Sequence, residues 1–133
     1  MNQKQKHTAL IKNKALEAGF ADCGISAVKK LDEEEKILNT WLANGMHADM
    51  EWMKRNKEKR IDPSKLVSNA KSVISVLLNY YTDKNQNHPD VPVISKYAYG
   101  RDYHKVMKKM LKILLSYIQE IMPGSSGRAF VDS

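Results

Sequence analysis

The chain has 133 residues, of which 42% are hydrophobic, and a single cysteine, Cys23. This length allows one domain with a hydrophobic core, and a lone cysteine excludes both an internal disulfide and a cysteine-built metal site within this segment. No apolar run reaches the roughly 18 residues of a membrane span, and the polar N-terminus lacks a signal-peptide core, so we expect a cytoplasmic protein without membrane contact. The formal net charge of +7 leaves nucleic acid open as a partner.

Hydrophobic periodicity supplies the predicted elements. Apolar residues recur at helical spacing in three segments, residues 3–18, 32–43 and 102–122. Strand-like apolar runs occur in four segments, residues 20–25, 72–78, 93–99 and 128–131. Asp32 and Glu35 form a variant capping box that we expect to open the second helix, and the run at 72–78 is typical of a central strand covered on both faces. Together these predict an α/β fold of mixed α+β layers, with helices flanking a small mixed sheet.

Two segments have a composition that suggests binding. Residues 54–60 are the densest basic cluster, which could attract RNA or DNA or could be a solvated helix face. Residues 45–53 hold three methionines, a tryptophan and a histidine. They could cover a flat cofactor or a neighbouring domain, although core filling is the favoured interpretation. A metal site of His47, Asp49 and Glu51 is rejected, because alternate residues of a helix do not converge.

The strongest local candidate for a site precedes the long third helix. Gly100 supplies a free backbone, and Asp102 is placed to cap the helix by accepting hydrogen bonds from its first amides. His104 falls in the first turn, where its ring can donate or accept a hydrogen bond. The plainer alternative is that Asp102 only caps and His104 packs or faces solvent. Arg101 is either a surface ion-pair residue or an anion clamp.

Asp132 is the second candidate, at the end of the predicted strand 128–131. A partly desolvated carboxylate there would hold a proton and could act as an acid; the alternative is a solvated strand end. Because an apolar strand entering the core is an unusual place to stop, we expect the chain to be the N-terminal portion of a larger enzyme. No phosphate loop, dinucleotide fingerprint or nucleophile elbow is present.

Five blocks of sequence carry a family resemblance: GMHADMEWM at 45–53, KRIDP at 59–63, AKSVISV at 70–76, YAYGRDYH at 97–104 and GRAFVDS at 127–133. In this order they resemble the N-terminal domain of the epoxyqueuosine reductases, cobalamin-dependent iron–sulfur enzymes of queuosine biosynthesis. The resemblance implies reduction of epoxyqueuosine in the tRNA anticodon loop to queuosine. It also implies that residues 1–133 bind cobalamin and substrate, and that a ferredoxin-like domain with two 4Fe–4S clusters follows. The electron donor is left open.

The resemblance assigns roles residue by residue. Asp132 matches the proton donor, whereas Ser95, Tyr97, Asp102, Tyr103 and His104 are expected at the cofactor. Substrate contacts are expected from four cations, Arg101, Arg128, Lys54 and Arg55. Some members of the family have cysteine at the position of Ser95, so a thiol close to cobalt is doubtful here.

Two other functions stay open at this point. One is a related corrinoid- or flavin-dependent reductase of a small molecule, and the other is a non-catalytic, basic RNA-binding module. Cysteine runs typical of two iron–sulfur clusters beyond residue 133 would favour the epoxyqueuosine reductase.

Overall fold

The computed structural model describes residues 2–131. Within this range the regular elements follow in the order α1 (Gln3–Glu17), β1 (Asp22–Ala27), α2 (Asp32–Ala43), α3 (Lys57–Ile61), β2 (Ser72–Leu77) and α4 (Tyr103–Ile121). The mixed helix-and-strand class predicted from the sequence is confirmed, and the three long helices begin and end within a residue or so of their predicted limits. No helix in residues 2–131 is long and apolar enough to cross a membrane.

Strands β1 and β2 form a two-stranded antiparallel sheet. Hydrogen bonds continue the pairing beyond both ends, from the Ala21 amide to the Leu77 carbonyl (2.8 Å) and from the Val28 amide to the Lys71 carbonyl (3.0 Å). The prediction that β2 is a central, doubly covered strand is wrong for the described residues, in which β1 is its only partner. A β-branched run indicates a strand but does not specify how many neighbours it has.

The chain divides into two compact units: a first unit of Met1–Gly24 with Ser75–Ser133, and a second unit of Ile25–Ile74. In the first unit α1 packs against α4. The buried residues of this unit are apolar: Ile11, Ala15, Phe20, Cys23 and Leu114. Burial raises the pKa of the Cys23 thiol, as is typical of a structural rather than a reactive cysteine. Leu16 of α1, although apolar, is half-exposed.

The second unit is organised around Ile61 and His47, which are both buried. The carbonyl of Ile61 accepts a hydrogen bond from the amide of Leu31 (2.8 Å), and Leu31 is the N-cap of α2 without a side-chain cap bond. The predicted capping box is therefore wrong. Asp32 is the first residue of α2 and pairs with Lys30 at 3.3 Å. The cap position falls one residue earlier, on Leu31.

Two predicted strands are absent from the described part of the chain. Residues 93–95 have no regular structure, and Lys96–Ala98 form a 3₁₀ turn. Residues 125–131 are likewise irregular. Both runs are apolar, but an apolar run becomes a strand only when a partner strand supplies the ladder of hydrogen bonds. Val93 accordingly is 92% exposed. Residues 83–92 contain no helix or strand and are mostly exposed, so they form a surface loop.

A strained position in the second unit gives a stability prediction. Ala48 has a φ of +45°, a conformation that costs an L-residue about 1–2 kcal/mol. We expect Ala48→Gly to raise the free energy of unfolding by about 0.5–1 kcal/mol, after the larger unfolded-state entropy of glycine is subtracted. Ala9→Gly, at an exposed position inside α1, is the matched control and should lower the same quantity by about 1 kcal/mol. Urea denaturation measures both; a loss of stability in both variants would contradict the prediction.

Candidate functional site

The candidate site begins where the chain turns into α4. Gly100 has a φ of +84°, in the left-handed region, as expected for the free backbone predicted there. Asp102 is the N-cap of α4, and its Oδ1 accepts a hydrogen bond from the amide of His104 at 3.0 Å. The predicted capping role of Asp102 is confirmed. The turn at Gly100 and the cap at Asp102 together determine where α4 starts.

The same oxygen of Asp102 also lies 3.3 Å from Nδ1 of His104. An ionised carboxylate can only accept hydrogen bonds, so Nδ1 donates. In the neutral ring Nε2 is then an acceptor, available to a ligand because the side chain is 44% exposed. Partial desolvation opposes ionisation of Asp102, but the hydrogen bonds from His104 outweigh it and the pKa of Asp102 is lowered.

Four rings contact one another in series and end at His104 of this pair. We call them the aromatic row: Tyr80, Tyr97, Tyr103 and His104. The ring centres of Tyr80 and Tyr97 are 6.3 Å apart and those of Tyr97 and Tyr103 are 5.9 Å apart, both edge to face. The rings of Tyr103 and His104 are 4.1 Å apart and tilted by 31°. The structure thus brings together Tyr97, Asp102, Tyr103 and His104, four of the five residues expected at the cofactor. Tyr80 and Tyr97 are exposed and Tyr103 and His104 are half-buried, so the row offers part of its aromatic surface to a ligand.

Tyr80 and its neighbour Tyr81 were missed by the sequence analysis. They are 66% and 71% exposed, and Tyr81 lies under the ammonium group of Lys96, 4.8 Å from its ring centre. The available signal was their position, two aromatic residues separated from the apolar run 72–78 by a single asparagine. Residues at strand ends are placed on the surface by the sheet, so a pair of tyrosines there suggests a binding surface.

The other predicted site residues are less closely grouped. Ser95 is exposed and precedes the 3₁₀ turn, where its carbonyl accepts the amide of Ala98 at 2.9 Å. Arg101 is exposed, and its side chain makes no ion pair or hydrogen bond with any residue in 2–131. The guanidinium of Arg128 lies 4.8 Å from the ring centre of Phe130. Asp132 lies outside the described residues, so its predicted role stays a prediction.

The basic cluster 54–60 belongs to the second unit. Lys54 pairs with Glu51 at 2.9 Å, Lys57 donates to Asn39 at 2.7 Å, and Arg60 lies 5.2 Å from the ring centre of Trp52. Two cations of this cluster, Arg55 and Lys59, have no side-chain partner among residues 2–131. They are therefore the members most available to an external anion.

The methionine-rich segment 45–53 does not fill a core. Met46 is 61% exposed, and Met50 and Trp52 are also exposed. Residues 44–49 form turns, and Glu51–Met53 form a short 3₁₀ helix. The favoured interpretation of this segment is thus wrong for these three residues. His47 is buried, with Glu51 3.6 Å from its Nε2. Within residues 2–131 no three potential metal ligands converge.

Comparison with known proteins identifies the family. The family model described as "Epoxyqueuosine reductase QueG, DUF1730" matches residues 60–133, more than half of the chain. The chain belongs to this family. Over all 133 of its residues it is 50% identical to the epoxyqueuosine reductase of Cellulophaga algicola, of which it covers 43%. It thus spans about two-fifths of the length of the curated relatives it matches.

Solved structures agree in fold. The epoxyqueuosine reductase of Streptococcus thermophilus superimposes with a TM-score of 0.73 at 26% identity, over 93% of this chain and 33% of that protein. The Bacillus subtilis enzyme superimposes with a TM-score of 0.71 at 20% identity, over 90% and 33%. In that Bacillus structure a catalytic loop, which carries an aspartate, is swung out of the active site.

The cap at Asp102 predicts a pH-dependent contribution to stability. Because the folded-state pKa of Asp102 lies below its ordinary value of 3.8, the stabilisation is present above that pH and is lost as the pH falls through the folded-state pKa. We expect Asp102→Ala to lower the melting temperature at neutral pH. Asp102→Asn should retain the cap but lose this acid dependence.

The measurement is the melting temperature of each variant from neutral pH down to about pH 3, below the ordinary pKa of aspartate. Asp90→Ala, in the exposed loop, is the control and should have little effect. An Asp102→Ala protein as stable as the wild type at neutral pH would show that the cap contributes nothing.

Proposed function

We propose that this chain is the cobalamin- and substrate-binding part of an epoxyqueuosine reductase, which reduces epoxyqueuosine in tRNA to queuosine. Membership of the family carries the proposal, since the matched residues 60–133 include the whole aromatic row and the Asp102–His104 pair. A reaction on tRNA would place the protein in the cytoplasm. Because the chain spans about two-fifths of its relatives, the activity is proposed for the protein together with the remaining part found in those relatives.

The chemistry defines what the site must provide. Converting an epoxide to an alkene takes up two electrons and two protons and releases the epoxide oxygen as water. Cobalamin, when bound, supplies the electrons. The partly exposed aromatic row offers apolar surface to a macrocycle, and the proposed contacts are Ser95, Tyr97, Asp102, Tyr103 and His104. With the group bound, the tyrosine rings would shield part of it from water, and Nε2 of His104 would be available to accept a hydrogen bond.

Iron–sulfur clusters do not fit the residues of this chain. A 4Fe–4S cluster needs several cysteine thiolates, whereas the chain has only Cys23, which is buried. We therefore assign two such clusters to a ferredoxin-like domain beyond residue 133. The electron donor to that domain is unidentified.

Asp132 is proposed as the acid that protonates the departing epoxide oxygen. The aspartate-bearing catalytic loop of the Bacillus subtilis enzyme supports an aspartate in this function. Arg101 and Arg128 are proposed as contacts to the RNA, and Arg101 is free of partners within residues 2–131. The two alternatives, a small-molecule reductase and a non-catalytic RNA-binding module, have less support because the relatives described above are all named epoxyqueuosine reductase.

The test uses the full-length protein with cobalamin, a strong reductant and tRNA that carries epoxyqueuosine. Mass spectrometry of the digested nucleosides should show loss of one oxygen atom from the modified base. Retention of the epoxide by a protein that has bound cobalamin would overturn the proposal.

The same assay tests whether Asp132 is the general acid. Asp132→Asn should retain the binding of cobalamin and tRNA but lower turnover by roughly 10²–10⁴-fold, the usual contribution of a positioned general acid. Asp83→Asn, in the surface loop, is the control and should turn over normally. Normal turnover of Asp132→Asn would remove it as the proton donor.

The basic cluster gives a binding prediction. Replacing Lys54, Arg55, Lys57 and Lys59 together with alanine should weaken tRNA binding and flatten its dependence on salt, because fewer counterions are released. The double variant of Arg55 and Lys59, the two unpaired cations, should account for most of the effect and reduce the salt slope by about two.

The double variant of Lys54 and Lys57 is the matched control. It removes the same charge from side chains that already have partners, and its effect should be smaller. Filter binding across a salt titration measures all three variants. Equal affinities for wild type and the quadruple variant would exclude this cluster from the RNA interface.

A further inference from the structure

Two helices that pack together in the first unit have a net positive charge close to that of the whole chain. Helices α1 and α4 carry eight lysines against two acids, Glu17 and Glu120, a net charge of +6 in a chain whose total is +7. The cluster 54–60, although denser in sequence, lies in a unit where α2 begins with four consecutive acidic residues. The more positive surface is therefore the one formed by α1 and α4.

An open groove of about 450 Å³ lies between these helices, and we call it the α1–α4 groove. It is lined by Lys14 of α1 and by six residues of α4: Lys109, Lys112, Ile113, Ser116, Tyr117 and Glu120. The ammonium group of Lys14 lies 5.2 Å from the ring centre of Tyr117 and 3.3 Å from Glu17. The groove thus combines cations with hydroxyl groups, the combination that contacts phosphates.

The lysines of α4 repel one another. Lys105, Lys108, Lys109 and Lys112 are three or four residues apart, so they lie on one face of the helix, where like charges destabilise it. None of the four forms an ion pair with a described residue. Lysines of the second unit, such as Lys36 and Lys54, are paired with acids one turn away. A bound polyanion would offset this repulsion on α4.

The distance along α4 between the candidate site and the groove indicates which part of an RNA would reach the groove. His104 of the candidate site is in the first turn of α4, and Ser116 lies twelve residues later, which corresponds to about 18 Å along the helix axis. That separation covers several nucleotides of an RNA strand. An RNA whose modified base lies at the start of α4 would therefore place phosphates some nucleotides away at the groove.

We propose that the α1–α4 groove binds phosphates of the anticodon stem of the substrate tRNA, with Lys109 and Lys112 as the main contacts. This rests on the proposed function for the identity of the RNA. An anionic membrane is a less suitable partner, because a membrane-surface helix inserts large aromatic and aliphatic side chains, and the groove offers only Ile113 and Tyr117.

The experiment compares two double variants of the full-length protein that lose the same charge from the same pair of helices. Lys109→Gln with Lys112→Gln alters the groove, whereas Lys4→Gln with Lys6→Gln alters exposed lysines of α1 outside it. The probes are an anticodon stem-loop RNA, a single-stranded RNA of the loop alone, and vesicles containing phosphatidylserine. Melting curves confirm that both variants fold.

For the groove variant we expect roughly 10-fold weaker binding of the stem-loop and a salt slope smaller by about two. Its affinity for the loop RNA should be unchanged, and the Lys4 and Lys6 variant should bind the stem-loop nearly as wild type does. Equal losses in both variants, no loss in either, or a loss confined to vesicle binding would each overturn the proposal.

The groove proposal and the proposed function can be disproved independently of each other. If the wild-type holoenzyme binds the stem-loop through Lys109 and Lys112 but leaves epoxyqueuosine unreduced, the activity is wrong and the groove stands. If it reduces the epoxide and the groove variant binds the stem-loop normally, the activity stands and the groove is wrong.

Discussion

One oxygen of Asp102 controls the geometry of the candidate site. It accepts a hydrogen bond from the amide of His104 at the start of α4 and a second one from Nδ1 of the same residue. The first contact determines where the helix begins, and the second orients the imidazole. Because Tyr103 is the first residue of α4 and Tyr97 packs edge to face against it, most of the aromatic row is positioned by this cap. A carboxylate with a lowered pKa is suited to the task, since it stays an acceptor throughout the neutral range.

Charge density along the sequence and charge density in space differ in this protein. The cluster 54–60 has the most cations in the fewest residues, but three of them are held by Glu51, Asn39 and Trp52. The lysines of α1 and α4 are far apart in sequence, and helix packing brings them together. The electrostatic potential at a surface depends on charges that are close in space. A surface formed by two helices can therefore be more positive than a sequence cluster whose charges are locally compensated.

The accuracy of the sequence predictions depended on the range of the interactions involved. Helical periodicity located α1, α2 and α4, and the cap at Asp102 was predictable because it involves a residue only two positions away. The cap of α2 was not predictable, because the cap residue is Leu31, whose amide donates to the carbonyl of Ile61, thirty positions later. Strands at 93–99 and 128–131 were predicted from apolar composition alone, and composition does not reveal whether a partner strand exists.

The grouping of the site residues was also predictable only where the contacts are local in sequence. Tyr97, Tyr103 and His104 are close in sequence, so their grouping followed from a single segment, whereas Tyr80 joins them through a contact between residues seventeen positions apart. Large apolar side chains normally lower the free energy of folding by leaving water. Tyr80, Tyr81 and Met46 contribute little in this way, because each is more than 60% exposed. Their aromatic and thioether groups are therefore accessible from outside the described part of the chain rather than engaged in its core.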